Sequence, residues 1–125
     1  MTTKIRTILT GALGAVAMLT APLDVSAREA SSDDGNELLS QCNDEGYYLQ
    51  GVCMGIVKGT INTLDAWSIV NKTSPYCRPD NATWGQMQDV IVSYLKRHPE
   101  IRSESASLLI LKAQREAWPC AKDVT

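Results

Sequence analysis

Hydrophobic and polar positions change rhythm several times along the chain. From about Ile8 to Leu23 the residues are apolar or small with no polar face, interrupted by Gly11, Gly14 and Pro22. Residues 28 to 35, Arg-Glu-Ala-Ser-Ser-Asp-Asp-Gly, then carry charge and small side chains with nothing to bury, which predicts a flexible leader. Beyond it the apolar positions recur at helical spacing. Leu38, Leu39 and Cys42 predict a short helix from Asn36 to about Asn43, and Asp44-Glu45-Gly46 turns the chain. A longer helix from Tyr47 to Trp67 follows, with Leu49, Val52, Cys53, Ile56, Val57, Thr60, Leu64 and Trp67 on its apolar face.

Gly55 and Gly59 lie four apart inside that helix, where each glycine costs up to about 1 kcal/mol against alanine. The expectation is that another helix crosses closely there. A membrane-type glycine pair is excluded because Lys58 and Asp65 interrupt the segment.

From Asn71 to Ala82, Pro75, Pro79 and several turn formers predict a loop. Thr83 with Gln86 three positions on forms a capping-box signature. It opens a third helix to about Arg97, with Trp84, Met87, Val90, Ile91, Tyr94 and Leu95 inward. Pro99 drives His98 away from helical dihedrals and stops that helix. Ser103 is the expected cap of a fourth helix, with Glu104 in its first turn. Ala106, Leu109, Ile110, Ala113 and Ala117 mark one face of that helix, Leu108 and Leu111 lie beside it, and Pro119 ends it. So wide an apolar arc belongs either at the centre of a core or in a subunit interface. No alternating strand pattern or internal repeat appears, so the fold class is all-α, a small bundle of about four helices.

The start of the chain changes what counts as the domain. Lys4 and Arg6 before the apolar run, and Val25-Ser26-Ala27 after it, have the layout of a secretory signal peptide cleaved after Ala27. The run is shorter than the ~20 residues of a bilayer span. Cleavage leaves 98 of the 125 residues, enough for one domain, assigned to residues 36 to 122. Loss of Lys4, Arg6 and Asp24 takes the net charge from −2 to −3. With no basic cluster, that balance argues against nucleic acid as a partner.

Cys42, Cys53, Cys77 and Cys120 all lie behind the export signal, where an even count reads as disulfides in an oxidising compartment. No C-x-x-C pair occurs, so a metal site is not expected. Antiparallel neighbouring helices would bring Cys42 to Cys53 and Cys77 to Cys120. Closing those loops would contribute ~3 and ~4 kcal/mol in the chain-entropy model. A crossed pairing that ties the two hairpins together stays open at this point.

Catalytic chemistry has little to work with. His98 is the one histidine, set in Arg-His-Pro-Glu at a helix junction, and nearby Ser103, Ser105 and Ser107 lie where capping serines are ordinary. No phosphate-binding glycine loop, H-E-x-x-H or calcium loop occurs, and no cofactor is expected. The profile suits a binding protein.

Leu-Leu-Ser-Gln-Cys at 38 to 42, Cys-Met-Gly-Ile-Val-Lys-Gly at 53 to 59, Tyr-Cys-Arg-Pro at 76 to 79, Tyr-Leu-Lys-Arg-His-Pro-Glu at 94 to 100 and Ala-Trp-Pro-Cys at 117 to 120 follow one another in a familiar order. The chain from 36 to 121 resembles the Rap/Tai immunity proteins of type VI secretion. It departs modestly, with Ile56 where the family often has tyrosine and Tyr76 and Trp118 where it often has phenylalanine. The resemblance implies an exported α-helical protein, often a homodimer, in the periplasm of a Gram-negative bacterium. Its partner would be a toxic protein effector, typically a peptidoglycan amidase, whose active site it blocks. A plug needs a rigid base, and Cys77 anchors the loop that carries Asn71, Lys72, Thr73, Ser74, Tyr76, Arg78 and Asp80, so these are the candidate partner-binding residues. The competing reading is a small periplasmic stress protein or acid-activated chaperone, which two staples in so small a domain disfavour.

Overall fold

The computed structural model describes residues 33–121. The expected signal peptide, its cleavage site, the leader up to residue 32 and the last residues from 122 lie outside them. Four helices form the domain: α1 (Gly35–Asn43), α2 (Tyr47–Asn71), α3 (Trp84–Arg97) and α4 (Ala106–Ala117). A single 3-10 turn at Pro99–Ile101 joins α3 to α4. Among the described residues the β-structure is one isolated bridge between Asp34 and Ser105. Helices α1 and α2 form one hairpin and α3 and α4 the other, and α1 also packs on α3.

Each helix begins where a local donor or acceptor problem is solved. Thr83 accepts the Gln86 N–H at 3.2 Å while the Gln86 side chain accepts the Thr83 N–H at 2.8 Å, so the expected capping box is present in full. Ser105, not Ser103, caps α4 by accepting the Leu108 N–H. Pro99 starts a turn rather than a bare hinge, and that turn moves the entry to α4 two residues on. Glu104 therefore stays outside the helix, where its carboxylate pairs with Lys112.

The leader reading ran too far. Asp34 caps α1, accepting the N–H groups of Asn36 and Glu37 at 2.9 Å each. The Asp33 carbonyl accepts the Ala106 N–H at 2.7 Å, and the Gly35 and Asn36 N–H groups donate to the Glu104 and Arg102 carbonyls. Gly35 is buried, and a Cβ there would stand 2.9 Å from the Arg102 carbonyl oxygen and collide with Leu109. These residues look disordered in sequence because their partners lie some seventy positions away.

Helix α2 runs one turn past Trp67. Ser68 and Asn71 donate their side chains to the Leu64 and Trp67 carbonyls at 2.7 and 2.8 Å, and Lys72 closes the helix in a left-handed conformation with φ 53°. That extra turn buries nothing, since Ile69 and Val70 are 79% and 80% exposed. Trp67, expected inward, is about half exposed. The expected crossing at Gly55 and Gly59 is also absent: both glycines face outward, and a Cβ on either would meet no atom within 4 Å.

The core is built by Leu38 from α1, Cys53, Val57 and Ile61 from α2, Ile91 and Leu95 from α3, and Leu109 and Ile110 from α4, all fully buried. Each such aliphatic side chain contributes about 1.5–3 kcal/mol by leaving water. Leu108 falls outside this set at 43% exposed, and Ala117 is exposed too. The wide apolar arc of α4 thus serves the core on one side and the surface on the other.

Candidate functional site

The connection from Lys72 to Thr83 is held at several points. Cys77 is bonded to Cys120 with a Cα–Cα distance of 4.9 Å, and the Cys77 N–H donates to the Trp118 carbonyl at 2.8 Å. Ser74 donates its hydroxyl to the Tyr76 carbonyl. Tyr76 is 3% exposed and donates to one carboxylate oxygen of Asp65 at 3.1 Å, while Arg78 donates to the other at 3.0 Å. Arg78 also reaches the Met87 sulfur at 3.4 Å. One aspartate on α2 thereby clamps two residues of the loop.

That clamp sets the electrostatics. Burial first, and then the charge and hydrogen bond of Asp65, push the Tyr76 phenol up to about 12; Arg78 opposes the shift without cancelling it. Arg78 stacks over the Tyr76 ring at 5.9 Å.

The seven candidate loop residues divide accordingly. Asn71 belongs to α2, with its side chain on the Trp67 carbonyl, and Lys72 is the left-handed cap. Tyr76 and Arg78 are committed to Asp65 and support the loop from beneath. Thr73, Ser74 and Asp80 are exposed within the loop itself, as Asn71 and Lys72 are at the end of α2. A shallow polar cleft of about 430 Å³ brings Ser74, Tyr76, Arg78 and Asp80 together with Asp65. On the other side of Pro79 a second cleft, about 350 Å³, is walled by Ala82, Val90 and Trp118 and rimmed by Asn81, Gln86 and Asp89. Sequence reasoning missed Asp65, Asp89 and Trp118. The signal at Asp65 was one of the few charges on an otherwise apolar α2, thirteen positions before an arginine.

The other staple lies elsewhere. Cys42 and Cys53 are joined with a Cα–Cα distance of 5.1 Å, at 8% and 0% exposure, in the core near the turn between α1 and α2. With both pairs formed, no free thiol remains among the described residues. There is also no group of three or more His, Cys, Asp or Glu side chains among them that could hold a metal.

His98 ends α3, donating its backbone N–H to the Tyr94 carbonyl at 3.1 Å. Its ring packs tilted by 41° against Tyr94, with centroids 4.5 Å apart, and lies between two carboxylates, Glu100 at 3.2 Å and Glu116 at 3.6 Å. Glu100 is held below the usual carboxylate range by its own backbone hydrogen bond and then by His98. Ser105 is spent on its cap, and Ser107 has Thr60 as its neighbour at 3.4 Å. The histidine therefore braces the α3–α4 junction and is paired with carboxylates, not with a nucleophile.

A small helical scaffold, stapled twice and presenting a braced loop between two clefts, has the build of a protein-binding domain. Residues 34–120 match the family described as Rap1a immunity proteins, and the chain belongs to that family. Comparison with curated proteins and with solved structures returned no match. Membership makes a protein effector the partner. Among the described residues no helix is long and apolar enough to cross a membrane.

Proposed function

We propose that this chain is a periplasmic immunity protein, exported by cleavage after Ala27, that binds and blocks a peptidoglycan amidase delivered by type VI secretion. The observation that carries this reading is the loop held by Asp65, Tyr76, Arg78 and the Cys77–Cys120 bond, with Thr73, Ser74 and Asp80 exposed on it. A segment already fixed in its bound form has little ordering entropy left to lose on docking, which is what a tight plug requires. Inhibition of this kind needs no chemistry from the inhibitor, so the protein acts without catalysis of its own.

The outer face of α2 is assigned to a second copy. Gly51, Gly55 and Gly59 lie open along it, and a two-fold axis at Gly55 would set Gly51 of one copy against Gly59 of the other. Light scattering of the mature protein checks this arm, with twice the chain mass expected.

The decisive experiment mixes the purified protein with peptidoglycan amidases of the kind delivered by type VI secretion. A nanomolar complex and loss of peptidoglycan hydrolysis are expected, and Asp80→Arg should weaken the complex at least tenfold. Hydrolysis undiminished at saturating protein would overturn the reading. The chaperone alternative predicts acid loosening, so helix content and melting temperature unchanged near pH 2 would remove it.

A further inference from the structure

The two disulfides meet water very differently. Cys42 and Cys53 lie in the core, whereas Cys77 is exposed and Cys120 half-buried at the end of the described chain. Thiol–disulfide exchange requires a thiolate to approach a sulfur, so access decides which bond opens first. The surface pair also ties the tail after α4 to the loop, beside the packing of Trp118 against the core. Helix α4 ends at Ala117, and Trp118 to Ala121 continue without regular structure. Trp118 nevertheless forms one wall of the cleft beside Pro79 and takes the Cys77 N–H on its carbonyl.

We propose that Cys77–Cys120 is a redox latch: a site where a dithiol reductant opens one disulfide of the folded domain and releases the Trp118 wall of the cleft. A thiolate of the dithiol attacks the sulfur of Cys77, forming a mixed disulfide and expelling Cys120 as thiolate. The second thiol of the reductant, deprotonated, then attacks its own sulfur in that mixed disulfide, and Cys77 leaves as thiolate. Two electrons pass to the cysteine pair, the reductant ends as a disulfide, and its two protons are taken up by the two cysteine thiolates. The domain stays folded throughout, because Cys42–Cys53 is shielded and the loop is still tied to α2 by Tyr76 and Arg78 on Asp65. What changes is the relation of loop to tail, left with one backbone hydrogen bond from Cys77 to Trp118 and with the packing of Trp118 on the core. The consequence for effector binding rests on the function proposed above; the latch itself does not.

The test treats the mature protein with graded dithiothreitol without denaturant, quenches with iodoacetamide and maps the alkylated peptides. Cys77 and Cys120 are expected to be labelled at least tenfold faster than Cys42 and Cys53, with circular dichroism unchanged. Labelling of all four together, or helix loss in step with labelling of Cys77, would overturn the proposal. In a Cys77→Ser, Cys120→Ser variant, hydrogen exchange should quicken at 77–82 and 118–121 and stay unchanged in α1 and α2; unaltered exchange at both segments would overturn it too. Affinity for the amidase should fall at least tenfold in that variant, and equal affinity would remove any role in regulation. If the native protein bound no amidase, the function would be wrong, and labelling and exchange would still decide the latch.

Discussion

One end of this bundle is stapled from within and the other from outside. At the α1–α2 turn the bond between Cys42 and Cys53 is part of the core, in contact with side chains that would pack there anyway. At the loop end the bond between Cys77 and Cys120 joins two segments without regular structure; one backbone hydrogen bond from Cys77 to Trp118 also links them, and a tyrosine and an arginine on Asp65 tie the loop to α2. The same covalent chemistry thus reinforces packing in one place and stands in for it in the other. A side chain lost from the core end should be felt as global stability, and a tie to Asp65 lost from the loop end as local order; the Cys77–Cys120 bond, closing the longer loop, carries about 4 kcal/mol of global stability besides.

The largest effect should come from Cys42→Ala with Cys53→Ala. Loop closure and lost packing together predict a loss of about 3–5 kcal/mol, read as a lower urea midpoint for the whole domain. Alkaline pH should act next, through the loop end. Tyr76 keeps its proton up to about 12 when folded and releases it near 10 when unfolded, so its contribution is complete below pH 10 and is lost as pH rises toward 12. A decline on the order of 2 kcal/mol over that window is expected, and it should be reduced in Tyr76→Phe, where Tyr94, also raised by its burial, still contributes. Asp65→Ala should cost about 1–2 kcal/mol, a value reduced because Asp65 and Arg78 are 40% and 23% exposed and solvent screens their pair. Its signature would be faster hydrogen exchange in residues 73–82 with α1 unaffected.

Smaller effects sharpen the contrast on neutral ground. Gly55→Ala, placed where a Cβ meets nothing within 4 Å, should raise the stability of the isolated chain by about 0.5–1 kcal/mol while weakening self-association. His98→Ala should shift stability by only about 0.5 kcal/mol, with effector neutralisation intact.

How far each feature could be read in advance follows from the distance over which it is encoded. The capping box at Thr83 and Gln86 is three residues wide and was legible in full. The four helices were legible for the same reason, their periodicity being local. The clamp at Asp65 spans thirteen positions to Arg78 and depends on where α2 and the loop meet, so it had no local signature. Gly55 and Gly59 carried a real signal, a helix weakened for want of side chains, but this fold answers it with open surface. The loop's candidate residues were named together, Tyr76 and Arg78 with Thr73 and Asp80, and only burial and the partner Asp65 separate supports from exposed positions.

The clasp at the start of the domain has a consequence in time. Asp33, Gly35 and Asn36 bond to residues 102 to 106, so the first stretch of the domain to be synthesised is secured by nearly the last. Closing so long a separation makes this clasp a late event, whereas α1 can pack on α2 and α3 before it. Until α4 emerges the first residues of the domain lack these partners, so the start of α1 stays loose until the chain is almost whole.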